Sequence, residues 1–245
     1  MNPVIDLLFS HRSIRRFTEQ PIADALLQEI LRAGQAAATS SFLQGATIIR
    51  VRKPESRSKI AAWSGNQVHV EKAAEFLVFC ADLKRPGNAC REYGKPFAGD
   101  YTEHFIIATV DVALMAQNVV VAAESAGLGI CYIGGIRNKP AELAELLALP
   151  AGVYPVFGLC LGYPDQNPEV KPRLPLEVIL KEEIYNEDGD AQRVAEYDQR
   201  VREYYAIRTG GGHGICWSEQ VASLLSEKSR PHMRQFLADQ GFTMK

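Results

Sequence analysis

FIIATVDVALMAQNVVVAA, residues 105–123, is the most apolar stretch of the 245-residue chain, and its reading settles what kind of protein this is. A membrane-spanning helix needs about 20 residues with very few polar groups. Asp111, Gln117 and Asn118 interrupt this stretch, so it reads as a helix over about 105–126 buried in a globular core, and Gly127 suits the position just past its C-terminus. With 47% hydrophobic residues the chain can build one large core or two small ones around it. Near the start, Asp6, His11, Arg12 and Arg15 break up any apolar run, so no secretory signal is expected and a cytoplasmic protein is.

Helices and strands are mixed on both sides of that stretch. NPVIDLLFSH (2–11) spaces Val4, Ile5, Leu7 and Leu8 helically behind Asn2 and Pro3, which suit a helix start. IADALLQEILRAGQAA (22–37) gathers Leu26, Leu27, Ile30 and Leu31 on one side of a second helix. ATIIRVRK (46–53) alternates like a strand, and EFLVFCADL (75–83) reads as a buried one. ICYIGGI (130–136) and YPVFGLCLGYP (154–164) are further core strands, separated by the helix PAELAELLAL (140–149). Residues 83–104, with Pro86, Gly87, Gly94, Pro96 and Gly99, are expected to form an irregular loop, of a length usually functional or mobile. The last third holds KPRLPLEVIL (171–180), a charged helix near 191–206, glycines at 210–212 and the helix SRPHMRQFLADQ (229–240). It has no strand and too little apolar content for a core of its own, so it reads as an extension wrapped over something else, such as a partner subunit.

Several function classes are excluded at this level. A formal net charge of -2 gives no overall attraction to nucleic acid or an anionic membrane. The five cysteines are scattered without a CxxC and the histidines show no HExxH, which argues against a disulfide framework and a metal enzyme. Regular βαβ alternation is missing, no GxGxxG follows the first strand and no GxxxxGK(S/T) occurs, so doubly wound and P-loop readings both fail.

Against that neutral background stand two basic clusters. HRSIRRF (11–17) gathers one histidine and three arginines around a serine. In KPRLP (171–175), Pro172 and Pro175 stiffen the backbone that carries Lys171 and Arg173. Guanidinium forks and ammonium charges suit phosphate oxygens, although each cluster alone reads equally well as a solvated surface. YIGG (132–135) ends a strand with two glycines, which either allows a flat ligand to approach the backbone or makes an ordinary turn. TSSFLQ (39–44) offers hydroxyls beside Phe42, and GNQ (65–67) offers an amide able to bond a heterocycle edge.

Taken in order, HRSIR, TSSFLQ, GNQ, AQN (116–118), AAESAGLG (122–129), YIGGIRN (132–138), FGLCLGYP (157–164) and KPRLP resemble one family across nearly the whole chain, continuing through YYAIR (204–208), WSEQ (217–220) and SRP (229–231). It is that of the FMN-dependent, oxygen-insensitive NAD(P)H nitroreductases and flavin reductases, in the subgroup with a long C-terminal extension. The resemblance implies an α+β fold with a central, mostly antiparallel sheet flanked by helices. It implies a single nitroreductase-like domain, 1–245, with a core of about 1–175 and an extension of about 176–245 wrapping the partner in a homodimer. His11, Arg12, Ser13 and Arg15 match the family's N-terminal flavin contacts, and Lys171 and Arg173 its phosphate ligands. Thr39 stands where serine is usual. Gln67 and His69 match positions at the isoalloxazine ring, and Tyr132, Ile133, Gly134 and Gly135 match the strand end against the flavin. FMN would be the cofactor and NADPH or NADH the co-substrate, with nitroaromatics, quinones or free flavins reduced by two-electron, ping-pong hydride transfer. No side chain is assigned as catalytic, and no metal, nucleic acid or membrane partner is implied.

Relatives in this subgroup commonly carry an arginine after the Tyr-Tyr pair, matched to the nucleotide site, and further basic residues soon after. Here EYYAIRTGGGHGICW (203–217) keeps Arg208 but has glycines and His213 where those would fall, so a weakened preference for NADPH over NADH is expected. The rival readings are a non-catalytic nucleotide- or phosphate-binding protein, which a yellow chromophore released on denaturation separates from an enzyme, and an RNA-binding module, which the chain's charge disfavours. Deiodinase or dehydrogenase relatives match the tail less well.

Overall fold

The computed structural model describes residues 2–208, 214–227 and 229–245. In chain order the elements are α1 (Pro3–Phe9), α2 (Asp24–Gln35), β1 (Ala46–Arg50), α3 (Pro54–Trp63), α4 (His69–Lys72), β2 (Glu75–Asp82), α5 (Lys84–Glu92), α6 (Thr102–Ser125), β3 (Gly129–Ile133), α7 (Pro140–Leu146), β4 (Val153–Gly162), α8 (Leu176–Ile179), α9 (Asp190–Arg208), α10 (Trp217–Ser226) and α11 (Met233–Asp239). The strands form an antiparallel sheet in the order β1-β2-β4-β3. The expected α+β class and antiparallel sheet are both present.

Every residue of β2 is buried, because both faces of the sheet are covered. Side chains alternate along a strand, so Leu77, Phe79 and Ala81 meet one core with Val112, Ala116 and Val120 of α6. Phe76, Val78 and Cys80 meet a second core with Ile60 of α3, Val70 of α4, and Cys131 and Ile133 of β3. Pro155 has no N–H to give the ladder, and the β2–β4 register slips there, Phe79 facing Phe157 and Cys80 facing Pro155.

By length and composition α6 could cross a bilayer, yet Ala108, Asp111, Val112, Ala116, Val119, Val120 and Ala123 are buried in the protein core. Gly127, at φ +76°, follows its end as the sequence predicts. Asn2 caps α1 by accepting the Val4 N–H at 2.9 Å. The expected loop at 83–104 contains α5. Pro86 falls in the first turn, where a backbone N–H has no intrahelical partner to lose. The Asp82 carboxylate accepts the Lys84 and Arg85 N–H groups at 3.0 and 3.2 Å, and the Phe97 ring lies over Gly87. Turn chemistry supplied by Asp82 from outside the segment outweighed the Pro and Gly signals within it.

The chain divides into two compact units, Met1–Pro168 with His232–Lys245, and Glu169–Pro231. The first contains the sheet, and α11 returns to it with Phe236, Leu237 and Phe242 in its core. The second is helical, and among its described residues Tyr197, Val201, Tyr204 and Cys216 are the buried apolar ones. The end of the expected extension, 232–245, thus belongs to the first unit.

In the first unit, α2 and α6 approach closely at Gly34, where an added Cβ would lie 2.4 Å from Cγ2 of Val119. Glycine costs a helix interior about 1 kcal/mol against alanine, and here it creates the space the two helices need. Gly34→Leu should destabilise the protein by about 1–3 kcal/mol through overpacking, read as a lower urea midpoint at unchanged slope.

Candidate functional site

The segment after α1 is laid on the sheet as an extended strip. Ser13 pairs in parallel with Ile130 and Phe17 antiparallel with Pro164. The Ile14 N–H donates to Ile130 O at 2.8 Å and the Thr18 N–H to Tyr163 O at 2.9 Å. Ile14 is buried, and alternation in an extended strip then places Ser13 and Arg15 together on the opposite side.

The basic residues of this strip have separate partners. His11 Nδ1 lies 2.7 Å from Glu124 Oε1. Arg12 donates to Pro168 O at 3.4 Å. Arg16 and Asp165 form an exposed ion pair at 3.1 Å, of a kind worth little in water. Arg15 is exposed and has neither a hydrogen bond nor an ion pair among the described residues. Its charge is felt at the end of β3: burial, and then Arg15, lower the pKa of His69, and Arg15 partly offsets the burial that raises that of Cys131. The neutral form of His69 is therefore favoured, with Nε2 3.9 Å from Cys131 Sγ.

The turn carrying GNQ packs on the paired glycines that end β3. Gly65 and Asn66 have positive φ, +87° and +57°, and the Gln67 amide is set by its bond to Ser64 O at 2.8 Å. A Cβ on Gly135 would lie 2.5 Å from Ser64 O and 3.0 Å from Gln67 Nε2, so glycine alone fits. Asn138 Nδ2 donates to Trp63 O at 3.3 Å, tying the same two segments together. Arg15, Gln67, His69 and the 132–135 strand end thus belong to one neighbourhood. The Tyr132 phenol lies on the α6 side of the sheet, edge-on to Phe157 at 5.0 Å, and burial pushes its pKa up to about 12. Its backbone is what it contributes at the strand end.

Cys131 carries no motif that singles it out in the sequence. Period-two alternation along ICYIGGI places it on the same face as Ile133, and it stands in register with Cys160 of β4. Burial raises both thiol pKa values, Cys160 well above the usual range, so neither supplies a thiolate nucleophile. Thr39 stands elsewhere, just before the 3-10 turn Ser40–Phe42 that leads into β1, the sheet edge opposite β3.

In the second unit the 169–173 segment runs along tyrosines of α9. Tyr197 donates to Pro172 O at 3.0 Å and Lys171 Nζ to the Tyr205 hydroxyl at 2.8 Å. Lys171 also lies 5.0 Å from the Tyr205 ring centroid. Arg173 is exposed and bonds Lys171 O at 2.9 Å. Neither makes an ion pair among the described residues. Arg208 donates to the Tyr204 hydroxyl at 2.8 Å. His213 lies outside the described residues.

The donor set fits an anionic, flat cofactor. A guanidinium unpaired among the described residues acts on the groups at the end of β3, where Gly135 lets the turn at 64–67 pack closely and hold an oriented amide. The buried Ser64 Oγ likewise has no partner among the described residues. Comparison with known proteins agrees. Residues 8–163 match the nitroreductase family and residues 171–245 its C-terminal domain. The chain is 46% identical over 245 residues to an NADPH-flavin oxidoreductase of Vibrio harveyi and 42% identical over 245 residues to an oxygen-insensitive NADPH nitroreductase of Salmonella typhimurium, each alignment covering 100% of both chains. The solved NADPH:FMN oxidoreductase from Vibrio harveyi, complexed with NAD+, superposes with a TM-score of 0.91 at 44% identity, covering 100% of each chain. With both its core and its tail accounted for in this way, the chain belongs to the nitroreductase family and carries that family's C-terminal domain.

Proposed function

We infer that the protein is an FMN-dependent NAD(P)H oxidoreductase that reduces free flavins, nitroaromatics or quinones. The observation that carries this reading is Arg15, a cation without a counter-charge among the described residues, placed beside the glycine-ended strand and the fixed Gln67 amide. FMN, when bound, supplies a ring that takes two electrons as hydride from a nicotinamide and gives them to an acceptor. This chain's part is to bind, orient and stabilise. Arg15 would help hold the group and supply positive charge to stabilise its reduced form. Ser13 and the main chain of 132–135 supply polar contacts, while Lys171 and Arg173, by resemblance, serve the phosphate. By resemblance, His11 and Arg12 complete the N-terminal contacts, while Thr39, at the opposite sheet edge, is left out of this set.

The subunit is proposed to work as a homodimer in the cytoplasm. Val4, Leu8 and Phe9 of α1 are exposed, as are Ile106, Val110 and Leu114 of α6. Apolar residues repeated along two neighbouring helices mark a surface that a partner covers. The five thiols are free, which suits a reducing compartment. Sedimentation should give a dimer, and Phe9→Asp with Val110→Asp should weaken it.

Purified protein should be yellow. A hydrogen bond to a charged group contributes about 1.5–3 kcal/mol, so Arg15→Ala with Arg173→Ala should give colourless protein. Arg16→Ala, which removes only a surface pair with Asp165, should keep its flavin. Normal flavin stoichiometry in the double variant would overturn the assignment. The nucleotide expectation is read from kcat/KM with each donor. Arg208 alone, without basic residues after it, should leave NADPH and NADH within about tenfold of each other, and a large NADPH preference abolished by His213→Ala would contradict this.

A further inference from the structure

Arg57, early in α3, is half-buried and makes no ion pair among the described residues. Its Nε donates to Val70 O at 2.9 Å and its Nη2 to Ala73 O. Both acceptors lie at the end of α4, His69–Lys72, a single helical turn. So short a helix does not hold itself, because nucleation costs more than one turn of hydrogen bonds returns, and its last carbonyls have no partner within it. One planar guanidinium reaches two such carbonyls at once. Water could satisfy them at an open helix end without desolvating a cation. Here that desolvation is accepted, since burial pulls the Arg57 pKa down, with Glu75 and Glu71 partly offsetting it.

α3 runs into the turn at 64–67 through the Ser64 N–H bond to Ile60 O at 2.9 Å and the Gln67 N–H bond to Ala61 O at 3.1 Å. α4 then begins with the Val70 N–H on Gln67 O at 2.9 Å, and the Val70 side chain is buried in the core that holds Ile60. α3, the turn and α4 therefore form a hairpin whose open end Arg57 closes. The hairpin carries two residues of the candidate site. The Gln67 amide packs against Gly135, and His69 Nε2 faces Cys131 Sγ. Both lie between the tip and the closure, so the closure limits how far either can move.

We propose that Arg57 is a positioning residue for the candidate cofactor site: its fork on Val70 O and Ala73 O closes the α3–turn–α4 hairpin and so fixes Gln67 and His69. This rests on the flavin reading above. Arg57 acts through the main chain of residues 70 and 73.

The test uses two variants of the FMN-loaded protein. Arg57→Met removes the fork and the charge, whereas Arg57→Lys keeps the charge but offers a single point in place of a fork. Hydrogen exchange at the Val70 and Ala73 amides should quicken about tenfold in both, with β2 amides unchanged. The FMN Kd should rise about tenfold in both, while Arg52→Ala, an exposed arginine lining the same cleft, leaves it unaltered. Three results would each overturn the proposal: equal quickening in β2, which marks a loss of overall stability; an Arg57→Lys variant that behaves like the unaltered protein; or loosened α4 amides with an unchanged Kd. Should neither variant fold, exchange in the unaltered protein decides. Its α4 amides should be slowed at least about a hundredfold against an open chain, to the same degree as those of Ser64 and Gln67, and fast exchange in α4 beside a protected turn would sink the closure. An unaltered protein that is colourless and takes up no added FMN would instead sink the flavin reading, leaving exchange to judge the closure alone.

Discussion

Burial of β2 on both faces is the constraint from which the rest of the first unit follows. A strand of eight residues with no solvent-facing side needs a complete apolar layer above and below. α6 supplies one layer, and α3, α4 and α7 with the turn after β3 supply the other. Fully burying one large apolar side chain is worth about 1.5–3 kcal/mol, and Phe76, Leu77 and Phe79 are all completely inaccessible. Once both layers are in place, the end of β3 is brought against the turn at 64–67, because α3 and β3 share the second core.

The candidate site is therefore a by-product of core packing, completed by one added strip of chain. The Ile14 N–H bond to Ile130 and the burial of the Ile14 side chain dock the residues after α1 on the edge strand. That docking orients Ser13 and Arg15 together. The neighbouring basic side chains are drawn off to Glu124, Pro168 O and Asp165. What remains of the strip's cations, among the described residues, is one uncompensated guanidinium, enough to influence both His69 and Cys131.

Two buried acids are used alike, to hold main chain and not to meet an acid–base need. Asp82 gathers the N–H groups that start α5 and also accepts from Thr47 and Arg85. Asp111 gathers the ends of the loop ahead of β1. In each case a short side chain in the core spends its lone pairs on N–H groups that irregular backbone would otherwise leave unsatisfied. Loops can then be irregular or glycine-rich and still be well defined.

Much of this was legible in the chain itself. Period-two and helical spacing identified the strands and the core helix, the motifs from HRSIR to KPRLP pointed to the family, and Gly127 ended α6 where expected, because each of these depends on residues close together in sequence. α5 was not legible, since the group that starts it, Asp82, belongs to the preceding strand and its proline is harmless only in a first turn. Nor was the fate of the basic residues in HRSIRRF. Among the described residues, four similar side chains in one short run become three occupied and one free only when carboxylates and carbonyls from 124, 165 and 168 arrive in space. Asp111 looked like an interruption in an apolar run and became the grip on a distant loop. Local spacing therefore determined the elements, the resemblance of the motifs pointed to the family, and the tertiary structure decided which charges were left unpaired among the described residues, because pairing depends on distances between groups far apart along the chain.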